Sequence, residues 1–513
     1  MTDKIIFWLD AFLLNFGLAY NLQKKHDCEL YSIIDITNRT KKFFEEQNLV
    51  NFKKQWFLHD HIKKTLHPDI EYLRNFEKKY QINVWGLGFN ERIFYKYNDF
   101  YHFSQNEILG ILEHECKLYE LILDEIQPDF LITTETALHQ QHLFYEICRK
   151  RGIKVLMLNQ SKIAYKCIIS QQLNKLDFMP DLSKVTSKKR TFDELLNVIT
   201  STDNTKQLKL YSKNFGNSKS SKLKAVSEYI FKSDNSNTET HFSYYGRSKF
   251  KVLVDYLIKS RKATTRKTFI DKYLEYEIHD NEQFVLFTLH QEPERTLLIA
   301  SPFYTNQLEV IRHIAKSLPP GYKLYVKEHF SQLLREWREI SYYKEIIEIP
   351  NVRLYHPSAN IEPLIQKSSL VISIGGTTSF EAAFYQKPSI IMADLGFAIL
   401  PSIQKLNSLE ELPLMIRHGL ETKVNSDDLD RYLSILDEHS FDFDLKGYES
   451  NEASFFRHGG NYHDTIIMNE QMKSFLDDNQ NLFDTLTNQY IKKLNYFKKS
   501  LVHIYLFYTN SFF

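Results

Sequence analysis

Two adjacent glycines, Gly375 and Gly376, stand between an apolar run at 370–374 and a predicted helix at 379–385. The chain has only 15 glycines among 513 residues, so a pair asks for a positional explanation. Glycine lets the backbone turn sharply and lets a ligand approach it closely, and the N–H groups at a helix N-terminus hold an anion. The hydroxyl side chains at 377–379 add further hydrogen-bonding groups. The pattern predicts a phosphate-binding turn without the spacing of a P-loop or a GxGxxG motif.

Glu381 lies one turn into the helix that follows the glycine pair. Two interpretations stay open for its carboxylate: a capping box with Thr378, or a contact with the ribose hydroxyls of a bound nucleotide. The motif as a whole also has a purely structural interpretation. Thr and Ser are ordinary helix caps, and a tight turn needs glycine even where no ligand binds.

A second group of polar residues ends the predicted strand at 323–327, where Lys327 is followed by Glu328 and His329. Open α/β sheets bind their ligands at the carboxyl ends of parallel strands. Strand alternation directs Lys327 and His329 to the same side. A protonated imidazole there would stabilise the charge on a departing phosphate, so His329 is the predicted catalytic group. The structural alternative is a histidine that the backbone satisfies at the end of a strand.

A third group follows the predicted strand at 284–289 and contains His290, Gln291 and Glu294. These residues stand at or just past the carboxyl end of their strand, as the other two groups do. If the sheet is parallel, the three strand ends meet at one edge. Their convergence on one predicted cleft carries more weight than any single motif.

Alternating strand and helix patterns supply the elements that must position these residues. The second half predicts strands at 284–289, 323–327, 351–355, 370–374 and 389–393, with helices at 306–317, 361–367 and 379–385. The first part predicts strands at 4–10, 28–35, 55–59, 129–135 and 154–159, with helices between them. Such alternation is typical of doubly wound parallel sheets. The predicted fold class is therefore α/β, with two Rossmann-like domains.

Composition and charge restrict the class of protein to which the chain can belong. With 65 Lys+Arg against 64 Asp+Glu and 43% hydrophobic residues, the chain is an ordinary globular protein, neither disordered nor polyanion-seeking overall. Four cysteines without CxxC spacing argue against a disulfide framework and favour a cytoplasmic location. We predict four parts: a Rossmann-like domain at 1–181, a basic and mainly helical insertion at 182–282, a second Rossmann-like domain at 283–430, and a helical C-terminal extension at 431–513.

Several segments of the second half resemble the capsular and surface polysaccharide biosynthesis proteins. The resemblance runs in order from Phe284 to Met392, through FTLHQEPE, the helix start at Asn306-Gln307-Leu308, SLPPGYKLYVKEHFSQ and NVRLYHPSANIEPLIQKSSLVISIGGTTSFEAAFYQKPSII. These proteins are similar to Kdo-transferase-like glycosyltransferases of the two-domain GT-B type. The first half is similar to them only in its general α/β layout.

The resemblance implies that the second α/β domain binds a nucleotide sugar, CMP- or UDP-linked, with KEH on phosphate and GGTTSFE on phosphate and ribose. It also implies a fold whose two domains face a cleft, and no requirement for a metal or another cofactor. The family motif usually reads KEHP, and Phe330 departs from it. The expected donor-binding residues are His290, Gln291, Glu294, Lys327, Glu328, Gly375, Gly376, Thr377, Thr378, Ser379 and Glu381, with His329 as the catalytic group.

In this architecture the base that activates the acceptor hydroxyl comes from the N-terminal domain. Asp10 and Glu135 each end a predicted strand, so either is a candidate base. Neither residue belongs to a recognised motif, and for each the structural alternative is a carboxylate that caps a helix or a turn.

The predicted function is glycosyl transfer from a nucleotide sugar to a surface polysaccharide or lipid-linked glycan. A nucleotide-sugar 2-epimerase or a glycerophosphotransferase of the same fold is the alternative. A non-catalytic scaffold belongs to a different class. It would bind polyanions or a membrane surface through residues 206–272, which contain 16 basic and 5 acidic residues. We expect this segment to contact the inner face of the membrane peripherally, and we expect the chain to bind no nucleic acid. The structural alternative is that the segment is a solvated insertion without a partner.

Overall fold

The computed structural model describes residues 2–200, 241–333, 338–457 and 465–509, with side chains up to residue 499. These residues form two compact units. The first contains 2–177, 241–249 and the described residues from 439 onward, and the second contains 178–200 and the described residues of 250–438. A second pair of adjacent glycines, Gly459 and Gly460, lies outside the described residues, as do residues 206–240 of the basic segment.

The strands, in chain order, are β1 Asp3–Leu9, β2 Cys28–Ile34, β3 Phe52–Phe57, β4 Phe130–Thr133, β5 Lys154–Gln160, β6 Lys166–Ser170, β7 Gln283–Thr288, β8 Tyr322–Lys327, β9 Val352–Tyr355, β10 Leu370–Ser373, β11 Ser389–Ile391, β12 Ile403–Lys405 and β13 Phe441–Asp442.

The α-helices are α1 Leu14–Lys25, α2 Asn38–Glu46, α3 Ile70–Tyr80, α4 Val84–Asn90, α5 Gln105–Ile126, α6 His139–Lys150, α7 Phe192–Thr200, α8 Lys249–Tyr273, α9 Arg295–Leu298, α10 Gln307–Ser317, α11 Ile340–Ile347, α12 Ile361–Lys367, α13 Thr378–Phe384, α14 Leu412–Glu421, α15 Ser426–His439, α16 Leu445–Arg457, α17 Asn469–Asp478 and α18 Gln480–Thr509. None of these helices, within the described ranges, is long and apolar enough to cross a bilayer.

The first unit is built on a seven-stranded sheet in the order β13-β6-β5-β4-β1-β2-β3. Strands β1 to β5 run parallel, and β6 and β13 are antiparallel additions at one edge. Both faces of β1 are buried, because Ile5 and Phe7 enter one hydrophobic core while Ile6 and Trp8 enter the other. The strand order reverses between β1 and β4, and such a switch point is where open α/β sheets bind ligands.

The C-terminal helices complete the first unit. A Cβ on Gly17 in α1 would lie 2.3 Å from the ring of Phe483 in α18, so the absent side chain is what lets this ring pack against α1. Met472, Phe475 and Leu486 enter the same core as β1. The predicted extension at 431–513 is mainly helical among the described residues, and from 439 onward it belongs to the first unit.

The second unit is built on a six-stranded, entirely parallel sheet in the order β12-β11-β10-β7-β8-β9. This is the doubly wound order of a Rossmann fold, with its switch point between β7 and β10. In β7, Val285 and Phe287 face one core and Phe284 and Leu286 face the other. The two-domain, Rossmann-like α/β prediction is therefore confirmed.

Candidate active site

Three strand ends carry the predicted donor-binding residues, and the sheet brings these strands together. β7 lies between β8 and β10, with Thr288 in register with both Lys327 and Ser373. The loops that begin at Leu289, Glu328 and Ile374 therefore leave the same edge of the sheet, at and beside its switch point. The sequence predicted this convergence, and the contacts below show how closely the three loops are joined.

His290 links two of the loops. Its Nε2 accepts a hydrogen bond from the N–H of Gly375 at 3.1 Å, which assigns the proton of the neutral ring to Nδ1. The side chain is buried, and this burial lowers its pKa to about 3, with His329 and Arg338 adding to the effect. A carboxylate oxygen of Glu294 lies 3.9 Å from Nδ1. His290 is thus a neutral ring that fixes the start of the glycine turn.

The glycine pair has a steric reason in this turn. A Cβ on Gly375 would lie 2.7 Å from Thr296 Cγ2 and 3.0 Å from Ala393 Cβ, closer than van der Waals contact allows. A Cβ on Gly376 would come to 3.3 Å from His290 Cε1. The N–H of Gly376 donates to Ser373 Oγ at 3.2 Å. Glycine is needed for close packing here, as the sequence indicated, and the N–H groups of both glycines already have protein acceptors.

Replacing Gly375 by alanine is expected to destabilise the second unit by about 1–3 kcal/mol, because the added methyl group has no space between Thr296 and Ala393. Gly376→Ala is the matched control and should cost less, since the nearest neighbour of its added methyl group, His290 Cε1, is further away at 3.3 Å. Urea unfolding of both variants measures the difference. Equal losses, or a larger loss for Gly376→Ala, would contradict this steric account.

Helix α13 begins directly after the glycines. Thr377 Oγ1 donates to Glu381 Oε1 at 2.8 Å, so Glu381 pairs with Thr377 instead of the capping box with Thr378 that the sequence left open. Ser379 is buried, and its hydroxyl shares a 2.7 Å hydrogen bond with Ser373. The first turn of a helix leaves N–H groups without partners inside the helix, so Thr377 and Thr378 are placed to donate to an anion.

His329 is tied to the first of the three loops through Ser331. The Ser331 hydroxyl lies 2.7 Å from His329 Nδ1 and donates to Gln291 Oε1, also at 2.7 Å. The imidazole is partly exposed, whereas Gln291 is buried. This bridge orients the ring from its Nδ1 side, which directs Nε2 away from the bridge.

Lys327 and Glu328 differ from the expectation that they project toward a ligand. The ammonium group of Lys327 is buried and donates to the carbonyl oxygens of Glu328 and Pro357, at 2.8 and 2.7 Å, and burial lowers its pKa to about 8. The carboxylate of Glu328 is fully buried and accepts from the N–H of His329 at 2.6 Å. These side chains hold the loop in place, and of this motif His329 is the most accessible member.

A buried network beneath the three loops supplies residues that the sequence analysis missed. Arg338 donates to Glu328 Oε2 at 3.0 Å and to Glu292 Oε1 at 2.6 Å, and it also binds the carbonyl of His290. Gln307 binds the backbone of His290 through both its oxygen and its nitrogen. Gln307 stood within the family-like helix start, so a signal for it existed; Arg338 follows no recognisable pattern.

The two candidate bases lie in the first unit, at the carboxyl ends of β1 and β4. Asp10 accepts from the N–H of Phe12 at 2.8 Å, and the Thr134 hydroxyl lies 3.4 Å from its other oxygen. Burial raises the pKa of Asp10 to about 7, and the neighbouring Asp35 adds to this shift. Glu135 is exposed. Asp10 therefore has the environment of a general base and Glu135 that of a solvated carboxylate.

An ion pair from α16 holds the loop that follows Asp10. Glu452 is fully buried and accepts from the N–H of Leu13 at 3.1 Å and from Arg457 at 2.9 Å, while Arg457 also donates to the carbonyl of Ala11. Burial raises the pKa of Glu452 to about 7. The pair lies more than 400 positions from Asp10 in the chain, which explains why local patterns gave no sign of it.

Two buried histidines of the first unit, His59 and His139, have structural roles. His139 is buried between Glu91 and Glu115, with its ring nitrogens 2.8 and 3.0 Å from their carboxylates, and these charges raise its pKa to about 10. His59 lies 3.0 Å from Asp35. Within the described ranges, no group of three or more His, Cys, Asp and Glu side chains is arranged to hold a metal ion.

Residues 184–400 match the family described as capsule polysaccharide biosynthesis protein. The match encloses the run from Phe284 to Met392 on which the resemblance was drawn, and it confirms that resemblance for this part of the chain. Among curated protein sequences, none matches.

Solved structures with a similar arrangement include two UDP-GlcNAc 2-epimerases. The one from Methanocaldococcus jannaschii is 14% identical, covers 85% of this chain and 100% of its own, and has a TM-score of 0.23. The one from Neisseria meningitidis is 13% identical, with 92% and 98% coverage and a TM-score of 0.21. A beta Kdo 2,7 transferase from Thermosulfurimonas dismutans is 10% identical, with 67% and 86% coverage and a TM-score of 0.26. At these TM-scores the fold assignment rests on the two sheets described above.

Proposed function

We propose that this chain, whose residues 184–400 match the capsule polysaccharide biosynthesis family, is a glycosyltransferase that moves a sugar from a nucleotide donor to a surface polysaccharide or lipid-linked glycan. The observation that carries the proposal is the joining of three loops at the switch point of the second sheet. There His290 binds Gly375 and His329 is oriented by Ser331 and Gln291. We assign the donor to this edge.

The donor phosphates would lie against the start of α13. The backbone N–H groups of Thr377 and Thr378 and the hydroxyl of Thr378 would donate to the phosphate oxygens, and the helix dipole would favour their negative charge. His329 Nε2 would donate to the phosphate that departs with the nucleotide and so stabilise the charge that develops there. Because these groups supply the donors that stabilise the phosphate charge, we propose that transfer requires no metal ion.

Neutral His290 acts in this scheme as a positioning residue. Its Nε2 holds the N–H of Gly375, and Gln307 holds the His290 backbone from the other side. Lys327 and Glu328 likewise fix the loop that carries His329 and are not assigned contacts with the donor. Glu381, whose carboxylate is already held by Thr377, remains a candidate for the ribose hydroxyls.

Calorimetric titration of the full chain with CMP- and UDP-sugars tests this assignment directly. We expect saturable binding of one nucleotide class, weakened by Thr378→Val and unchanged by Thr422→Val, at a half-buried threonine directly after α14. If a folded chain binds no nucleotide sugar, the proposal fails. Product analysis without an acceptor distinguishes the alternatives, because an epimerase converts its donor in the absence of any acceptor.

We assign the role of general base to Asp10. Its pKa of about 7 means that kcat/KM should rise with pH up to about 7 as the carboxyl loses its proton. Asp10→Asn should remove this rising limb and most of the activity. Glu135→Gln is the matched control, and it should leave both the rate and the pH profile nearly unchanged. A pH profile lost in Glu135→Gln but kept in Asp10→Asn would assign the base to Glu135.

The same raised pKa has a consequence for stability. Between about pH 4 and pH 7 the folded chain keeps a proton on Asp10 that the unfolded chain releases, so this group's contribution to stability falls as pH rises through that window. The melting temperature of Asp10→Asn relative to the parent should therefore increase from pH 4 to pH 8. This second readout does not depend on knowing the acceptor.

A further inference from the structure

Helix α8 presents a row of large apolar side chains to solvent in its first half. Phe250 is 76% exposed, Val254 37%, Leu257 62% and Ile258 49%. Their spacing of four, seven and eight residues from Phe250 places them on one face of the helix. Single exposed apolar residues are common on protein surfaces, but four on one helical face form a continuous stripe.

The second half of the same helix is anchored in the core of the second unit. Ile270 is fully buried among the residues that pack beneath β7 and β8, and Ala263 and Phe269 pack against the same core. Arg266 is also buried and pairs with Glu339. The apolar stripe therefore belongs to a helix that is held firmly at one end and lies outside the hydrophobic core at the other.

Basic residues surround the stripe. From 250 to 262 the helix carries Lys251, Lys259, Arg261 and Lys262 against one acidic residue, Asp255. Asp255 pairs with Lys259 at 3.0 Å. On a helical projection Arg261 falls within the stripe, and Lys251 and Lys262 fall along one edge of it. The surface therefore combines exposed apolar area with a local positive charge.

We propose that the face of α8 formed by Phe250, Val254, Leu257 and Ile258 docks on an anionic lipid surface. Helices that lie in a membrane interface bury an apolar face at the boundary between headgroups and acyl chains, and Lys and Arg beside that face bind the anionic headgroups. The stripe supplies the first component and Arg261, with its basic neighbours, supplies the second. A protein partner with a plain apolar groove would not account for these positive charges.

This docking face is separate from the donor site, so its test does not depend on glycosyl transfer. Within the basic segment at 206–272, the proposal assigns the membrane contact to one face of helix α8. It also adds the exposed apolar side chains of that face, which a count of charges does not indicate. An enzyme that extends a lipid-linked glycan would gain from it, because docking holds the chain close to membrane-bound acceptors.

Sedimentation of the full chain with lipid vesicles tests the proposal. The parent should bind vesicles of phosphatidylcholine with one third phosphatidylglycerol and should bind pure phosphatidylcholine vesicles at least tenfold more weakly. Leu257→Glu should lose most of the binding, whereas Leu414→Glu, at a 75% exposed leucine of α14, should not. Arg261→Glu should weaken binding about fivefold or more, and Lys267→Glu on another face of α8 should have a smaller effect.

Four results would overturn the proposal. The first is a parent chain that does not bind anionic vesicles, and the second is a Leu257→Glu variant that binds them as well as the parent does. A dimer in the parent that becomes a monomer in Leu257→Glu, without vesicle binding, would show that the face binds a second copy. A large loss of melting temperature in Leu257→Glu, compared with Leu414→Glu, would show that this chain itself covers the stripe.

Discussion

Replacing His329 by alanine is expected to lower kcat/KM for sugar transfer by about a hundredfold or more, while the melting temperature stays nearly unchanged. The ring is partly exposed, and Ser331 holds it at Nδ1, so little packing is lost. What is lost is the donor that stabilises the departing phosphate. Nucleotide release from the donor sugar, followed together with thermal unfolding, measures both quantities.

Two further variants separate catalysis from structure at this position. Ser331→Ala should lower the rate less than His329→Ala, because it removes only the group that orients the ring through Nδ1. His418→Ala, at an exposed histidine in α14, is the matched control and should leave the rate unchanged. If His329→Ala instead costs several kcal/mol of stability and keeps its rate, the histidine is a structural residue at the end of a strand.

The alternation of strands and helices predicted five of the six strands of the second sheet and missed β12 at its edge. All eight elements predicted there agree with the structure within two residues at each end, and the helix at 361–367 has the predicted bounds at both ends. Buried parallel strands read as short apolar runs, and these runs end where polar residues begin, so the strand ends were also visible. That is why the convergence of three loops could be predicted.

The same patterns could not indicate which polar side chains are buried. Lys327 and His329 alternate in the same direction along their strand, yet Lys327 donates to the carbonyls of Glu328 and Pro357 inside the protein. The burial depends on Pro357, which follows a neighbouring strand. Contacts between distant segments have no local signature in a single sequence.

The loop of Asp10 shows the same limit over a longer distance. Its position at a strand end was predictable, but the Glu452 and Arg457 pair that holds it comes from a helix near the other end of the chain. The predicted division at 431 treated these helices as an extension. In the structure, the packing of Phe483 onto Gly17 and the burial of Glu452 show that they complete the first unit.

The largest expected loss of stability comes from Arg338→Met. Arg338 is buried and pairs with two carboxylates, Glu328 and Glu292, of which Glu328 is fully buried. Removing the guanidinium leaves these charges without their cation in a site that excludes water, which costs about 3–5 kcal/mol. The carbonyl of His290 loses a donor as well, so we also expect weaker binding of the donor nucleotide.

Arg312→Met is the matched control for this loss. Arg312 also pairs with two carboxylates, Glu309 and Glu345, but it is 40% exposed, and such pairs are worth about 1 kcal/mol or less. Urea unfolding should therefore separate the two variants by several kcal/mol. Equal losses in the two variants would show that the Arg338 network is no more than a surface ion pair, and its role in holding the three loops would have to be abandoned.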